Sequence, residues 1–334
     1  MKQLWAVVLA AGEGKRMHSL MPKVLHPLCG KPMLSYILES AAELTDQVMV
    51  VVGHGALKVQ DTLGEKWRYV LQEQQLGTGH AVMQASGDLP PEGTLLVLCG
   101  DTPLLESDHL QQLLDRHKEH AATVATTILP DPTGYGRVVR GQGGMIEKIV
   151  EDRDASREEK KIDEINSGTY CFDLALLKYY LPLLTTDNVQ KEYYLTDIVA
   201  LMRRDGHAVG AYLIDDYRVS LGINNRAQLA EASRMLRVKI NNSLMLSGVT
   251  IIDPDSTYID FGLEIGQESV ILPNCLLEKG TIIGAGCLIG PNTHLSNTVV
   301  KDRAVIQHSV VVGSVIESEQ KIGPFAHIRI EKEN

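Results

Sequence analysis

The first residues whose arrangement is suited to chemistry form a glycine-rich loop followed by cations. Residues 4–11 are apolar, and the loop GEGKR at residues 12–16 follows them directly, with Lys23 close behind. Glycine lets the backbone approach a ligand closely, and the backbone N–H groups can then face an anion. The glycines, Arg16 and Lys23 therefore indicate a polyphosphate-binding loop at the end of a buried strand.

Two common glycine loops do not fit this segment. The dinucleotide fingerprint G-x-G-x-x-G requires a glycine at the position of Met17. The P-loop requires Ser or Thr after a Gly-Lys pair, and the chain has Arg16 and Pro32 at these places. The loop must therefore bind phosphate in another way.

A second glycine-rich segment, QEQQLGTGH, covers residues 72–80. Gly77 and Gly79 indicate another close approach of the backbone, and the side-chain amides of Gln72 and Gln75 are suited to reading the edge of a base. A plain glycine turn with exposed glutamines is the alternative interpretation. The neighbouring signal of the first loop favours a nucleotide site.

An acidic residue, Asp101, follows the apolar run at residues 95–99. A carboxylate just past a buried strand is a suitable Mg²⁺ ligand, because magnesium prefers hard oxygen donors. The alternative is that Asp101 only caps the next helix, as aspartate often does. Its predicted place at the carboxyl edge of the sheet favours the metal.

Several shorter strings pair a polar residue with glycine or with the end of a strand. They are suited to hydrogen bonding with sugar hydroxyls and an acetamido group, although each alone is more often structural. They are TGYGR at residues 133–137, IVED at 149–152, EINSG at 164–168, EYYLTD at 192–197 and GINNR at 222–226.

The elements that must position these residues alternate between strands and helices. Apolar runs at residues 4–11 and 95–99 predict buried strands, and the spacing over residues 33–44 predicts a helix. Such alternation is typical of a mostly parallel, Rossmann-like sheet with ligands at the carboxyl ends of its strands. We predict an α/β domain over residues 1–228 and a linker helix at 229–247.

Beyond Gly248 an aliphatic residue recurs with a period of six. The period predicts one short strand per hexapeptide, with its aliphatic residue pointing inward. Three repeats make one triangular coil of a parallel β-helix, which we place at residues 248–330, with a charged tail at 331–334. The predicted inward residues are Ile265, Ile271, Leu277, Ile283, Ile289, Leu295, Val299, Val305, Val311, Ile316, Ile322 and Ile328.

The composition argues against several classes of partner. The formal net charge of −10 disfavours nucleic acid and anionic membranes, because both require basic surfaces. The hydrophobic fraction of 44% is ordinary for a globular protein, and no stretch approaches the length of a membrane span. Five widely spaced cysteines do not indicate a disulfide framework. We expect a cytoplasmic protein.

Taken in order, these motifs resemble sugar-1-phosphate nucleotidylyltransferases, and most closely the bacterial bifunctional N-acetylglucosamine-1-phosphate uridyltransferases/glucosamine-1-phosphate N-acetyltransferases. The resemblance covers nearly the whole chain. It implies a nucleotidyltransferase domain followed by a left-handed β-helix. It also implies UTP and N-acetylglucosamine 1-phosphate as substrates, UDP-N-acetylglucosamine and pyrophosphate as products, Mg²⁺ as cofactor, and a homotrimer. The strings that carry it are PKVLH at 22–26, QLGTGH at 75–80, PTGYGR at 132–137, EYYLTD at 192–197 and GINNR at 222–226.

The resemblance further implies roles for individual residues. Arg16 and Lys23 would be catalytic through contacts with phosphates, and Asp101 and Asn224 would hold Mg²⁺. The sugar phosphate would attack the α-phosphorus of UTP in line, so catalysis would rest on positioning and charge neutralisation. Leu9, Ala10, Ala11, Gly12, Gln72, Gly77, Thr78 and Gly100 would bind the nucleotide, and Gly136, Glu151, Asn166 and Thr196 would bind the sugar.

Two features depart from the family pattern. Cys99 stands immediately before the Gly-Asp pair, where relatives commonly carry tyrosine. The chain also stops soon after Arg329, whereas the family continues with further coils that carry its acetyltransferase site. We therefore expect uridyl transfer without acetyl transfer.

Two alternative functions remain open on the sequence alone. One is a nucleotidylyltransferase that uses another nucleotide or another sugar phosphate. The other is a non-catalytic regulatory protein that kept the fold. Such proteins typically lose metal and phosphate ligands, so the presence of Lys23, Asp101 and Asn224 disfavours the second alternative.

Overall fold

The apolar run near the N-terminus forms a central strand, β1 (Leu4–Ala10), of a large sheet. It pairs in parallel with β4 (Val48–Val52) on one side and with β6 (Thr94–Cys99) on the other. Alternate residues of β1 belong to two different hydrophobic clusters. Trp5 and Val7 pack into one cluster, and Ala6 and Val8 pack into the other. Both faces of the sheet are therefore covered, which explains the continuous apolar run.

The computed structural model describes residues 3–329, and the predicted tail at residues 331–334 lies outside the described residues. The chain divides into two units. The first contains the chain up to His26 together with Pro32–Arg226, and the second contains Pro27–Lys31 together with the chain from Ala227 onward. Within residues 3–329, no helix combines the length and the apolar character needed to cross a membrane.

Helices alternate with strands along the first two thirds of the chain. The remaining strands there are β2 (Pro27–Leu28), β3 (Lys31–Pro32), β5 (Arg68–Leu71), β7 (Ala122–Ile128), β8 (Arg137–Arg140), β9 (Ile146–Val150), β10 (Glu164–Asp173) and β11 (Val209–Leu213). The helices are α1 (Met33–Ala42), α2 (Ala56–Leu63), α3 (Thr78–Ser86), α4 (Ser107–His117), α5 (Leu174–Tyr180), α6 (Asp197–Arg204), α7 (Tyr217–Ser220) and α8 (Arg226–Leu246).

The main sheet has the strand order β11-β7-β10-β6-β1-β4-β5, with β8 joined to β10 and β9 joined to β8. Four of its pairings confirm the predicted parallel arrangement, but β10 runs antiparallel to β6, β7 and β8. The reason is that β10 follows the hairpin of β8 and β9 rather than a helical crossover. The sheet is therefore α/β in type but mixed in direction.

The second unit contains a left-handed β-helix, as predicted. Its short strands stack in parallel into three sheets, and each aliphatic side chain that is fully buried in the coil contributes about 1.5–3 kcal/mol. The sheets have the orders β12-β15-β18-β21-β24, β13-β16-β19-β22-β25 and β14-β17-β20-β23. The strands are β12 (Thr250–Ile251), β13 (Tyr258–Ile259), β14 (Glu264–Ile265), β15 (Val270–Ile271), β16 (Leu276–Leu277), β17 (Ile282–Ile283), β18 (Leu288–Ile289), β19 (His294–Ser296), β20 (Val299–Val300), β21 (Val305–Ile306), β22 (Val310–Val312), β23 (Val315–Ile316), β24 (Lys321–Ile322) and β25 (His327–Arg329).

Two of the predicted inward positions, Val299 and Val305, are wrong. Val300 and Ile306 occupy the inward positions instead and are 1% and 0% exposed, whereas Val299 is 37% exposed. The coil segment after Leu295 is one residue shorter than a hexapeptide. The sequence period could not reveal this, because the inward residues Val300 and Ile306 each have an aliphatic neighbour directly before them.

Candidate active site

A cavity of about 360 Å³ opens in the first unit where β1 and β6 end. Parallel strands present their carboxyl ends at one edge of a sheet, so residues that are distant in sequence line the cavity together. Gly100 is buried behind this lining and donates its N–H to the carbonyl of Leu9 at 2.9 Å. The predicted site residues in the lining are Leu9, Ala10, Ala11, Gly12, Lys23, Gln72, Gly77, Thr78 and Asp101.

The loop after β1 depends on a close approach between Gly14 and Lys23. Gly14 has a φ of 68°, and a Cβ atom there would lie 2.5 Å from the Cβ of Lys23. A larger residue at position 14 would therefore displace Lys23. The short 3-10 helix that follows buries Met17 and leaves Arg16 exposed, so the structure brings Lys23 but not Arg16 into the cavity wall.

The ammonium group of Lys23 contacts the side chains of both Asp101 and Asn224. The Lys23 ammonium donates hydrogen bonds to the carboxylate of Asp101 and, at 3.2 Å, to Oδ1 of Asn224. The side chains of Lys23 and Asp101 are only 13% and 19% exposed. Ile223 donates its N–H to the carbonyl of Asp101 at 2.8 Å, which holds the segment of Asn224 beside the end of β6. The two predicted metal ligands therefore face the same cation.

This donor set fits Mg²⁺. A carboxylate and an amide oxygen already share one positive group, the Lys23 ammonium, so a cation is stabilised at this point. Among residues 3–329, no group of three or more His, Cys, Asp or Glu side chains could hold a metal ion. Mg²⁺ is commonly bound through one or two carboxylates plus substrate phosphates, so the site suits a metal that arrives with a phosphate ligand.

The second glycine loop is fixed by its own backbone contacts. Gln72 is buried, contrary to the plain-turn interpretation, and its Nε2 donates to the carbonyl of Gly77 at 3.2 Å. Gly77 has a φ of 106°, and a Cβ there would lie 2.6 Å from the carbonyl oxygen of Tyr193. The hydroxyl of Thr78 accepts the N–H of Leu195 at 3.2 Å. The segment around Tyr193 therefore holds the loop in place.

The four residues predicted to surround the sugar form one contiguous group. Asn166 donates its N–H to the carbonyl of Gly136 at 2.9 Å, and the Thr196 hydroxyl donates to Oε1 of Glu151 at 3.1 Å. A Cβ atom on Gly136 would lie 3.5 Å from that same Oε1. The side-chain Nδ2 of Asn166 donates to the hydroxyl of Tyr170 at 2.6 Å. The structure thus brings Asn166 of β10 together with three residues outside strands and helices: Gly136 before β8, Glu151 after β9 and Thr196 before α6.

Glu151 carries an unusual charge environment. Burial raises the pKa of its carboxyl group, and the negative charges of Asp197, Asp154 and Glu192 raise it further, while the hydrogen bond from Thr196 opposes them. Burial and the neighbouring negative charges therefore both disfavour the ionised form. Hydroxyl donors from a bound sugar would satisfy the ionised carboxylate.

The cavity wall also contains the side chains of Cys99 and Glu192, for which the sequence predicts no individual binding role. Burial raises the pKa of the Cys99 thiol to about 12, with Asp101 adding to the shift and Lys23 opposing it, so the thiol stays protonated at neutral pH. The sequence signals were position alone: Cys99 ends a buried strand, and Glu192 begins the EYYLTD string. Neither residue type points by itself to phosphate binding.

Comparison with known proteins adds a consistent set of matches. The MobA-like NTP transferase domain family matches residues 6–159. Bifunctional protein GlmU of Caldanaerobacter subterraneus subsp. tengcongensis is 48% identical over 334 residues, covering 99% of this chain and 73% of that protein. GlmU of Thermoanaerobacter pseudethanolicus is 47% identical with the same coverage. GlmU of Listeria welshimeri is 45% identical over 337 residues, covering 100% of this chain and 74% of that protein.

A solved structure is similar in fold. It is a crystal structure described as a glucose-1-phosphate thymidylyltransferase from Bacillus anthracis in complex with sucrose. The TM-score is 0.56 at 18% sequence identity, and the match covers 70% of this chain and 94% of that chain. At this identity the likeness supports the fold alone.

We predict that Glu151→Gln stabilises the folded protein at pH 7.5. The folded-state pKa of Glu151 lies above its ordinary value of 4.5, so ionising this carboxyl costs folding free energy. That cost begins as the pH rises through 4.5 and is complete above the raised pKa, and a neutral amide avoids it. We expect a higher Tm for the variant at pH 7.5 and a difference that disappears below pH 4.5.

Glu159→Gln is a matched control with the opposite sign. A hydrogen bond from Lys148, aided by Ser156, lowers the pKa of Glu159 to about 2. The charge on Glu159 therefore stabilises the fold above pH 4.5, and this contribution is lost as the pH falls towards 2. The control should have a lower Tm than the wild type at pH 7.5. An equally lowered Tm for Glu151→Gln would contradict the prediction.

Proposed function

The chain belongs to the GlmU family, and on this premise we propose that it transfers a uridylyl group from UTP to N-acetylglucosamine 1-phosphate. The products are UDP-N-acetylglucosamine and pyrophosphate. One observation carries the proposal: Lys23 contacts both Asp101 and Asn224, and Lys23 and Asp101 line the same cavity as the two glycine loops. A cavity with this wall suits a metal-bound polyphosphate next to a base.

The reaction needs no covalent enzyme intermediate. A phosphate oxygen of the sugar phosphate forms a bond to the α-phosphorus of UTP, and the bond from that phosphorus to the bridging oxygen breaks with its electron pair leaving on pyrophosphate. Asp101 and Asn224 would hold Mg²⁺, which would supply charge neutralisation at the phosphates when bound. Lys23 adds a second preorganised positive charge beside the same oxygens.

The nucleotide is positioned by backbone rather than by long side chains. A Cβ atom on Gly12 would meet no atom within 4 Å, so the backbone there is open to a close ligand. The Nε2 atom of the buried Gln72 amide is held by the carbonyl of Gly77 and by Nδ1 of His80, which orients its carbonyl oxygen for the edge of a uracil. Such a fixed arrangement lowers the entropic cost of bringing the two substrates together.

Pyrophosphate release measured with a panel of substrates tests this proposal. The panel combines UTP, ATP or dTTP with N-acetylglucosamine 1-phosphate or glucose 1-phosphate, at saturating Mg²⁺. We expect the highest kcat/KM for UTP with N-acetylglucosamine 1-phosphate. A clear preference for another pair would support a different nucleotidylyltransferase. Absence of release with every pair would support a non-catalytic protein.

We predict that Asp101→Ala and Lys23→Ala each lower kcat by roughly 10²-fold or more at saturating Mg²⁺. Each change removes a metal ligand or a fixed cation at a point where charge develops. Asp88→Ala is the matched control, since Asp88 forms an exposed ion pair with Arg68 at 3.3 Å. The control should keep wild-type turnover. Near-normal activity of Asp101→Ala or Lys23→Ala would remove that residue from the catalytic assignment.

We further propose that the protein is a homotrimer, held through the β-helix. Ile282, Val299 and Val315 point outward from β17, β20 and β23, which lie side by side in one sheet, and they are 46%, 37% and 54% exposed. A row of aliphatic side chains on a flat sheet face is typical of a surface that another copy covers.

Light scattering tests the trimer. We expect a mass of about three times the 36.7 kDa of one chain, and a smaller mass for Val299→Glu, which places a charge in the centre of the row. Thr250→Glu is the control, because Thr250 lies exposed on a different sheet of the β-helix. A wild-type mass of one chain at micromolar concentration would contradict the proposal.

A further inference from the structure

Cys99 is in β6, which lies between β1 and β10. The first glycine loop follows β1, and β10 contains Asn166, one of the residues predicted to bind the sugar. As the last residue of β6, Cys99 is the parallel partner of Leu9 in β1. On the other side β6 pairs antiparallel with β10, where Tyr170 faces Val97. Continuing this register by two residues places Gly168 opposite Cys99.

The Cys99 thiol makes a specific contact with this glycine. Its Sγ donates to the carbonyl of Gly168 at 3.3 Å. Gly168 has a φ of 81°, and a Cβ atom there would lie 2.8 Å from the sulfur. The thiol therefore occupies the space that the missing side chain leaves.

Gly168 in turn holds the side chain of Asn166. The Gly168 N–H donates to Oδ1 of Asn166 at 3.0 Å, while Nδ2 of Asn166 donates to the Tyr170 hydroxyl. The register between β10 and β7 shifts between Asn166 and Tyr170, so this stretch is a bulge without regular ladder bonds to β7. The bulge therefore relies on side-chain contacts for its conformation.

We propose that Cys99 is a positioning residue for the sugar phosphate. Its thiol fixes the Gly168 carbonyl, the bulge then fixes the amide of Asn166, and the amide is presented to the sugar in one orientation. The inference rests on the proposed function, in which Asn166 binds the sugar. It goes beyond that function because it gives Cys99 a role in sugar binding, although Cys99 lies at the end of β6 and lines the cavity predicted to bind the nucleotide.

The proposal makes a specific kinetic prediction. Cys99→Ala and Cys99→Val remove the donor, so the KM for N-acetylglucosamine 1-phosphate should rise about three- to tenfold, the size expected for one neutral hydrogen bond. The KM for UTP should change less than twofold, because the nucleotide loops do not depend on the thiol. Cys99→Ser keeps a donor and should return the sugar KM to within about threefold of the wild type.

Tyr170→Phe tests the same amide from its other side. It removes the hydroxyl that accepts Nδ2 of Asn166 and should also raise the sugar KM without raising the UTP KM. Cys29→Ser serves as the control for loss of a thiol, since Cys29 belongs to the second unit and has no place in the proposed site. It should leave both KM values unchanged.

The outcomes separate this inference from the proposed function. If the wild type releases no pyrophosphate with any substrate pair, the proposed function fails. If the wild type is active and Cys99→Ala and Cys99→Val leave the sugar KM unchanged, or shift both KM values equally, the positioning role is overturned. If these two variants do not fold, Cys99→Ser and Tyr170→Phe decide: a raised sugar KM in Tyr170→Phe alone supports the role, and unchanged values in both overturn it.

Discussion

The parallel pairing of β1 with β4 and β6 is the constraint on which the candidate site depends. With β5 paired in parallel to β4, it brings the ends of β1, β5 and β6 to one edge, so the loop after Ala10, the stretch near Gln72 and the Asp101 carboxylate face a common space. None of these segments is adjacent in sequence. The pairing is stabilised by side chains buried on both faces, and the loops at its edge carry the chemistry.

The edge of the sheet that carries the candidate site has a partly buried positive charge, that of Lys23, although the chain as a whole is negatively charged. The protein has a formal net charge of −10, and the sugar group has Glu151 among other carboxylates. Lys23 nevertheless stands against Asp101 at low exposure, where a cation is screened less by solvent than at the surface. Under the proposed function, a polyphosphate bound with a metal would therefore be held at one point rather than by the surface in general. The absence of a side chain at Gly14 is what lets Lys23 reach that point.

Much of the first unit could be predicted from the sequence, because its signals are local. The apolar run of β1, the glycine loops and the position of Asp101 after a strand all depend on neighbouring residues, and the structure brings most of the predicted nucleotide residues to one cavity. Arg16 is the exception in geometry, since it points to solvent. The direction of β10 and the true inward residues Val300 and Ile306 depend on pairing with distant strands. Sequence spacing does not encode that pairing.

The antiparallel direction of β10 explains why the residues predicted to bind the sugar are harder to identify from the sequence than those predicted to bind phosphate. The phosphate site uses the ends of parallel strands, where position alone suggests function. The amino acids predicted to bind the sugar instead lie next to the β8–β9 hairpin, in a bulge at Asn166 and in a distant loop with Thr196. Their contacts follow from how β10 lies between β6 and β7. A change in that insertion can therefore alter the residues predicted to bind the sugar while the parallel strands, and the cavity at their ends, remain in place.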